Sequence, residues 1–301
     1  MGQIIERIMS GEILVSDGAW GTLLQEKGLK TGECPEAWNI SHVNEVYSIA
    51  KSYIDAGADM IETNSFGANR LKLASYGLGN RVFELNKAAA EISRRAAGED
   101  HFVLGSIGST GKMIMMDEVT AEELFEVFGE QAEALAAGGA DAVIIETMTD
   151  LQEAVIAVKA AKENTNCEVF CTMTFDKISG DEYRTIMGVS PTEMVNLLVD
   201  AGVDAVGANC GRGMRDMIGV VREIRAADSS IAVIVHANAG IPFYKDGRTV
   251  FPDSPEDMAA LTYEIIKAGA NMVGGCCGTN PRHIRKMAEV IKSINKEKSV
   301  L

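Results

Sequence analysis

Basic residues are scarce in this 301-residue chain: 28 Lys and Arg stand against 43 Asp and Glu, a net charge of −15. Without a basic stripe interleaved with aromatics, nucleic acid and anionic membrane surfaces are poor partners. No apolar run approaches the roughly 18 residues that a membrane-spanning helix requires. The opening MGQIIERIMSGE has charges among its apolar residues and lacks the continuous stretch and cleavage site of an export signal. A cytoplasmic protein is therefore expected, with its six cysteines reduced and available for thiolate or metal chemistry rather than a disulfide framework. No Pro/Ser/Gly-rich linker interrupts the pattern, so residues 1–301 are expected to form one domain, and 47% hydrophobic residues suffice for its core.

What the chain does contain is a repeated phrase. AGADMIETN at 56–64, GGADAVIIE at 138–146, AGVDAVGANC at 201–210 and AGANMVGGCC at 268–277 each end a helical pattern at a glycine and begin a short apolar run. Each reads as helix, turn and buried strand. Asp59, Asp141 and Asp204 directly after these turns read as structural turn residues. Four more strands fall between the phrases, ILVSDGA at 13–19, FVLGSIG at 102–108, VFCTMTF at 169–175 and IAVIVHANAG at 231–240. Helical stretches separate them, some opening with good caps such as Ser190 before Pro191 and Ser254 before Pro255. Eight strict β-then-α units predict a (β/α)8 TIM barrel. A doubly wound open sheet is the alternative, but no phosphate-cradling loop of the usual kind is present.

In a barrel of this kind the chemistry sits at the C-terminal strand ends. Asp17, Glu62, Thr63, Asn64, Ser106, Glu146, Thr147, Thr174, Asn209, Cys210, His236, Asn238, Cys276 and Cys277 all fall there. Cys276 and Cys277 are adjacent in GGCCGTNP, and Cys210 lies in ANCGRG. Neighbouring strand residues face opposite ways, so both members of the pair reach one metal only through a kink, which the flanking glycines permit. Three thiolates suit Zn²⁺ and leave a fourth position for substrate. Packing is the plainer reading for a buried cysteine, and Cys34, Cys167 and Cys171 fit it. A disulfide between adjacent cysteines strains the peptide between them. Asp17 and Glu146, at strand ends, offer carboxylates to the ammonium group of an amino-acid substrate. Trp20 reads as rim packing and His236 as a hydrogen-bonded neighbour of the site rather than a ligand.

Taken in order, DGAWGTLLQEKG, ETNSFGANRLKLASYGL, IIETMTD, GANCGRG, HANAG and GGCCGTNPRHI resemble the zinc-dependent homocysteine S-methyltransferases across nearly the whole chain. Within that family the chain looks most like the homocysteine-binding module of cobalamin-dependent methionine synthase. The resemblance implies Cys210, Cys276 and Cys277 as zinc ligands, and Asp17 and Glu146 as holders of the substrate's amino group. It further implies Gly18, Ala19 and Thr63 around the carboxylate, and Asn238 near the metal. Trp20 and His236 depart from the methionine synthase pattern and leave a different substrate or donor open. The expected activity is methylation of homocysteine at a zinc-activated thiolate. The chain leaves no room for cobalamin- or folate-binding domains, so methylcobalamin is expected on a partner protein that docks over the barrel mouth. Betaine or another onium donor, for which Trp20 would offer a cation–π face, a different thiol acceptor, and a zinc-dependent thiol sensor are the alternatives.

Overall fold

The computed structural model describes residues 2–180, 182–245 and 247–298. Eight parallel strands form one sheet: β1 Leu14–Val15, β2 Met60–Glu62, β3 Phe102–Gly108, β4 Ala142–Met148, β5 Glu168–Met173, β6 Ala205–Cys210, β7 Ala232–Ala237 and β8 Met272–Gly275. From β2 to β8 each strand pairs with its sequence neighbour, and β8 returns to pair with β1. Eight helices form the outer ring: α1 Val43–Ile54, α2 Val82–Ala97, α3 Ala121–Ala137, α4 Leu151–Asn164, α5 Pro191–Asp200, α6 Met214–Ala227, α7 Pro255–Ala268 and α8 Pro281–Lys298. This is a (β/α)8 barrel.

The repeated turn phrase explains how the units are pinned together. Gly57, Gly139, Gly202 and Gly269 each hold a positive φ, between 89° and 122°, which a side chain would strain. The polar residue two positions on then reaches across to the preceding strand. Asp59 accepts from the Val15 amide at 2.8 Å, Asp141 from Val103 at 2.7 Å, Asp204 from Val169 at 2.7 Å and Asn271 from Val233 at 3.0 Å. Every even strand thus fixes the start of the odd strand before it. Ser190 and Ser254 open α5 and α7 with full capping boxes, through Glu193 and Asp257.

One seam differs from the others. The ladder between β1 and β2 is replaced by single bonds, from the Asp59 amide to the Val15 carbonyl at 2.8 Å and from the Glu62 amide to the Asp17 carboxylate at 2.9 Å. β1 is accordingly shorter than its apolar run, because a side chain takes over from the backbone after Val15.

The barrel interior is layered. Leu14, Met60, Leu104, Ile144, Phe170, Ile234 and Met272 form a closed apolar floor, sealed from below by Ile4 and Ile8 of the helix Gln3–Met9. Since strand side chains alternate, the inward residue two positions later forms the next layer. There the residues are polar: Ser16, Glu62, Ser106, Glu146, Thr172 and His236, all buried. Two hairpins that hydrophobic patterning does not announce, Asp176–Ser179 with Glu182–Arg184 and Phe243–Lys245 with Arg248–Val250, follow β5 and β7 at the mouth.

Candidate functional site

Above the polar layer lies a cavity of about 410 Å³, within the range of small-molecule sites. Its wall draws on the ends of seven strands: Gly18 to Trp20 after β1, Glu62 to Asn64, Ser106, Glu146 with Thr147, Cys210, His236, and Gly275 to Cys277.

Three sulfurs converge on this wall. Cys210 Sγ lies 3.0 Å from Cys276 Sγ, Cys276 Sγ lies 4.0 Å from Cys277 Sγ, and all three fall within 4.8 Å of one another. Two backbone devices bring them there. Cys210 adopts a left-handed φ of 59°, rare for a side-chain-bearing residue, as does Thr147 at 62°. Asn209 holds both strand ends: its Oδ1 accepts from the Thr147 amide at 2.9 Å and the Thr172 hydroxyl at 2.8 Å, and its Nδ2 donates to Thr147 Oγ1 at 2.6 Å. After β8 the chain turns sharply, with Thr279 Oγ1 donating to the Cys276 carbonyl at 2.7 Å and Gly278 at φ 82°. A Cβ at Gly278 would stand 2.2 Å from the Phe251 ring. The turn is the kink that the adjacent cysteines require. Hydrogen bonds with the Cys210 and Cys276 thiols lower the pKa of Cys277, the most exposed of the three, whereas Cys276 is pushed up by its own hydrogen bonds with Cys210 and Cys277.

Two glutamates on strands across the barrel from the sulfurs form an acidic group with His236. Glu62, Glu146 and His236 place one ligand-type atom each within 4.8 Å of one another, an arrangement compatible with metal binding. His236 Nδ1 approaches Glu62 Oε1 at 3.1 Å, and the Ser106 hydroxyl donates to Glu146. Burial disfavours every charge here. It pushes Glu62 up to about 8, and it pushes Asp17 up to about 8 with help from the neighbouring Glu62 charge. Glu146 rises for the same reasons, and desolvation depresses His236.

The sequence profile of the homocysteine S-methyltransferase family matches residues 14–291. The chain belongs to that family. It is 31% identical over 307 residues to a protein of Mycobacterium tuberculosis named methionine synthase, and 31% identical over 305 residues to its namesake in Mycobacterium leprae. These alignments take in 96% and 95% of the chain but only 25% of either relative's length. In fold it is similar to the metallated homocysteine methyltransferase MmuM of Escherichia coli, with a TM-score of 0.76 at 21% identity, covering 95% of this chain and 99% of that one. A methyltransferase from Methanosarcina mazei shares the architecture at a TM-score of 0.63 and 11% identity, covering 94% of each chain.

Within this family member, the residues expected to act are placed as follows. Cys210, Cys276 and Cys277 are brought together, and Glu146, Thr63, Gly18 and Ala19 line the same cavity. The Ala19 amide already donates to Thr279 Oγ1 at 3.1 Å, and Thr63 Oγ1 accepts from the Ser106 amide at 2.9 Å. Asn238 sits beside Cys210, its Nδ2 donating to the Gly211 carbonyl at 2.8 Å while its buried Oδ1 has no partner. Asp17 lies beneath the lining, accepting from Trp20 Nε1 and from the Glu62 amide, each at 2.9 Å. Glu62, Ser106 and Asn209, noted in the sequence only as strand-end residues, form the rest of the polar shell with His236, which the sequence reads as a hydrogen-bonded neighbour of the site. The inward alternation two residues beyond each floor residue is the signal that marks Glu62, Ser106 and His236.

Proposed function

We propose that the protein methylates the thiol of homocysteine, with zinc held by Cys210, Cys276 and Cys277 and the methyl group delivered by methylcobalamin on a partner protein. The observation that carries this reading is the convergence of three thiols on one cavity whose opposite wall is a pair of buried carboxyls. The donor set fits the ion: tetrahedral thiolates at about 2.3 Å from zinc stand roughly 3.8 Å apart, and the sulfurs stand at 3.0 and 4.0 Å. Bound there, zinc would favour the thiolate over the thiol of the acceptor near neutral pH.

The chain's own residues then bind and orient. Glu146 and Glu62 accept from the acceptor's ammonium group, an amine whose charge offsets two carboxylates that burial alone would leave protonated. Ser106 fixes the orientation of Glu146. Asp17 acts at one remove from the ammonium, fixing the Trp20 indole and the Glu62 backbone. Gly18, Ala19 and Thr63 form the side of the cavity toward the carboxylate, and Asn238 stays close to the sulfurs.

For the donor, the support is the surface around the mouth. Met115 and Met116 on the loop after β3, Ile178 and Ile186 after β5, and Phe243 and Tyr244 after β7 are all exposed large apolar side chains. Such a rim suits coverage by a protein partner better than free solvent.

Zinc-replete protein should be assayed with homocysteine and four donors: methylcobalamin, betaine, S-methylmethionine and S-adenosylmethionine. Slow methionine formation with methylcobalamin and none with the others is expected. Rapid turnover with betaine, abolished in Trp20→Ala, would reassign the donor. Equal rates with 4-mercaptobutanoate, which lacks the amine, would remove the carboxylates from acceptor recognition, and homocysteine binding without turnover of any donor would make the protein a sensor.

A further inference from the structure

We infer that Glu62, Glu146 and His236 form a second cation site, distinct from the thiol cluster, that takes a divalent metal ion suited to mixed nitrogen and oxygen ligands. The three residues come from the ends of β2, β4 and β7, so their separation is set by the barrel and not by mobile loops. They are 8%, 7% and 2% exposed, and all line the cavity. Among the described ion pairs, no lysine or arginine reaches either glutamate.

One unpartnered atom points to a missing cation. Glu62 Oε1 is buried without any hydrogen-bond partner, a state that native interiors rarely tolerate. The 3.1 Å approach of His236 Nδ1 to Glu62 Oε1 leaves that oxygen unsatisfied, so the contact is not an aligned hydrogen bond. Two ligands about 2.1 Å from one metal and roughly 95–109° apart are themselves separated by about 3.1–3.4 Å. The pair already has that spacing. Glu146, oriented by Ser106, supplies the third ligand atom. One imidazole and two carboxylates make a harder set than three thiolates, so the two sites differ in what they hold most tightly. In the reading proposed above, on which this part rests, the acceptor's ammonium uses the same two glutamates. Metal and acceptor therefore compete, and divalent metal in excess inhibits.

Cobalt(II) separates the two sites, because only thiolate ligation gives intense near-ultraviolet charge-transfer absorption. Reduced, metal-stripped full-length protein should be titrated with Co²⁺, with bound metal counted by elemental analysis after gel filtration. Two equivalents are expected, one of them carrying the charge-transfer band. Glu62→Gln and His236→Asn should each lose the silent equivalent and keep the absorbing one, which also shows that these variants are folded. Cys277→Ser should weaken the absorbing equivalent and keep the silent one. Saturating homocysteine should weaken the silent equivalent by about tenfold or more. A single equivalent in the wild type, or a silent equivalent that survives both Glu62→Gln and His236→Asn, would overturn the site. A silent equivalent lost in the variants yet indifferent to homocysteine would leave the metal site standing and remove the acceptor's ammonium from these glutamates.

Discussion

Glu62 is a carboxyl whose surroundings oppose its charge, and this has a measurable consequence for the empty protein. Burial raises its pKa from the ordinary 4.5 to about 8. The native state therefore holds this proton more tightly than the unfolded chain does. The contribution to stability is complete below the ordinary carboxyl range and is lost as pH climbs from about 4.5 towards 8. Metal-free, ligand-free protein should accordingly show a Tm that declines over that interval, and Glu62→Gln should decline less steeply. An equal slope in the variant would place the pH dependence elsewhere. Asn209 makes a second residue-level case. It bonds Thr147 and Thr172 and sits beside the strained Cys210, so Asn209→Ala should cost about 1–3 kcal/mol. Metal affinity at the thiols should fall with it. Retention of both stability and affinity would mean that Cys210 holds its conformation unaided. In the sequence Asn209 reads only as a strand-end residue beside a cysteine, because hydrogen bonding to Thr147 and Thr172 on two other strands has no local signature.

Turn aspartates set the alignment of neighbouring strands. Asp204 accepts from the Val169 amide and also pairs with Lys162 at 2.8 Å. Asp204→Ala should lower stability by about 1–3 kcal/mol, seen as a Tm lower by a few degrees with unchanged KM. Asp204→Asn should recover most of the loss, since Asn271 performs the same task with an amide oxygen. Failure of asparagine to rescue would mean that the Lys162 pair carries the stability. These elements were highly legible: the helix-ending glycine, the polar residue and the apolar run recur four times, and each becomes a turn, an anchor and a strand. The hairpins after β5 and β7 were not, since their residues are largely exposed and lack the apolar alternation that identifies a strand. The sequence predicts a longer β1 than the barrel contains for the opposite reason. Its apolar run continues past Val15, but the Asp17 side chain takes the place of the ladder.

At the scale of the whole molecule, parallel pairing around the barrel gathers dispersed residues at one end. Cysteines 66 positions apart meet within 3.0 Å. Strand counting identifies which residues reach that end, but not which of them share a wall. The motif pairs Asp17 with Glu146 as carboxylates, and barrel closure adds Glu62 beside Glu146, with Asp17 bonded to the Glu62 amide. The mouth's apolar rim yields a separable prediction. Met115→Glu, Ile186→Glu and Tyr244→Glu, at positions 73%, 83% and 77% exposed, should lower kcat/KM with a methylcorrinoid protein by about tenfold or more. Rates with free methylcobalamin should be unchanged. Equal loss with both donors would show that the rim supports the site itself and is no docking surface. The most direct test of the account is the zinc content of the reduced protein measured alongside methionine formation, in the wild type and in Cys276→Ser. The account predicts that Cys276→Ser loses the zinc held at the thiols and that methyl transfer to homocysteine is severely reduced with it; full zinc together with full activity in Cys276→Ser would contradict it.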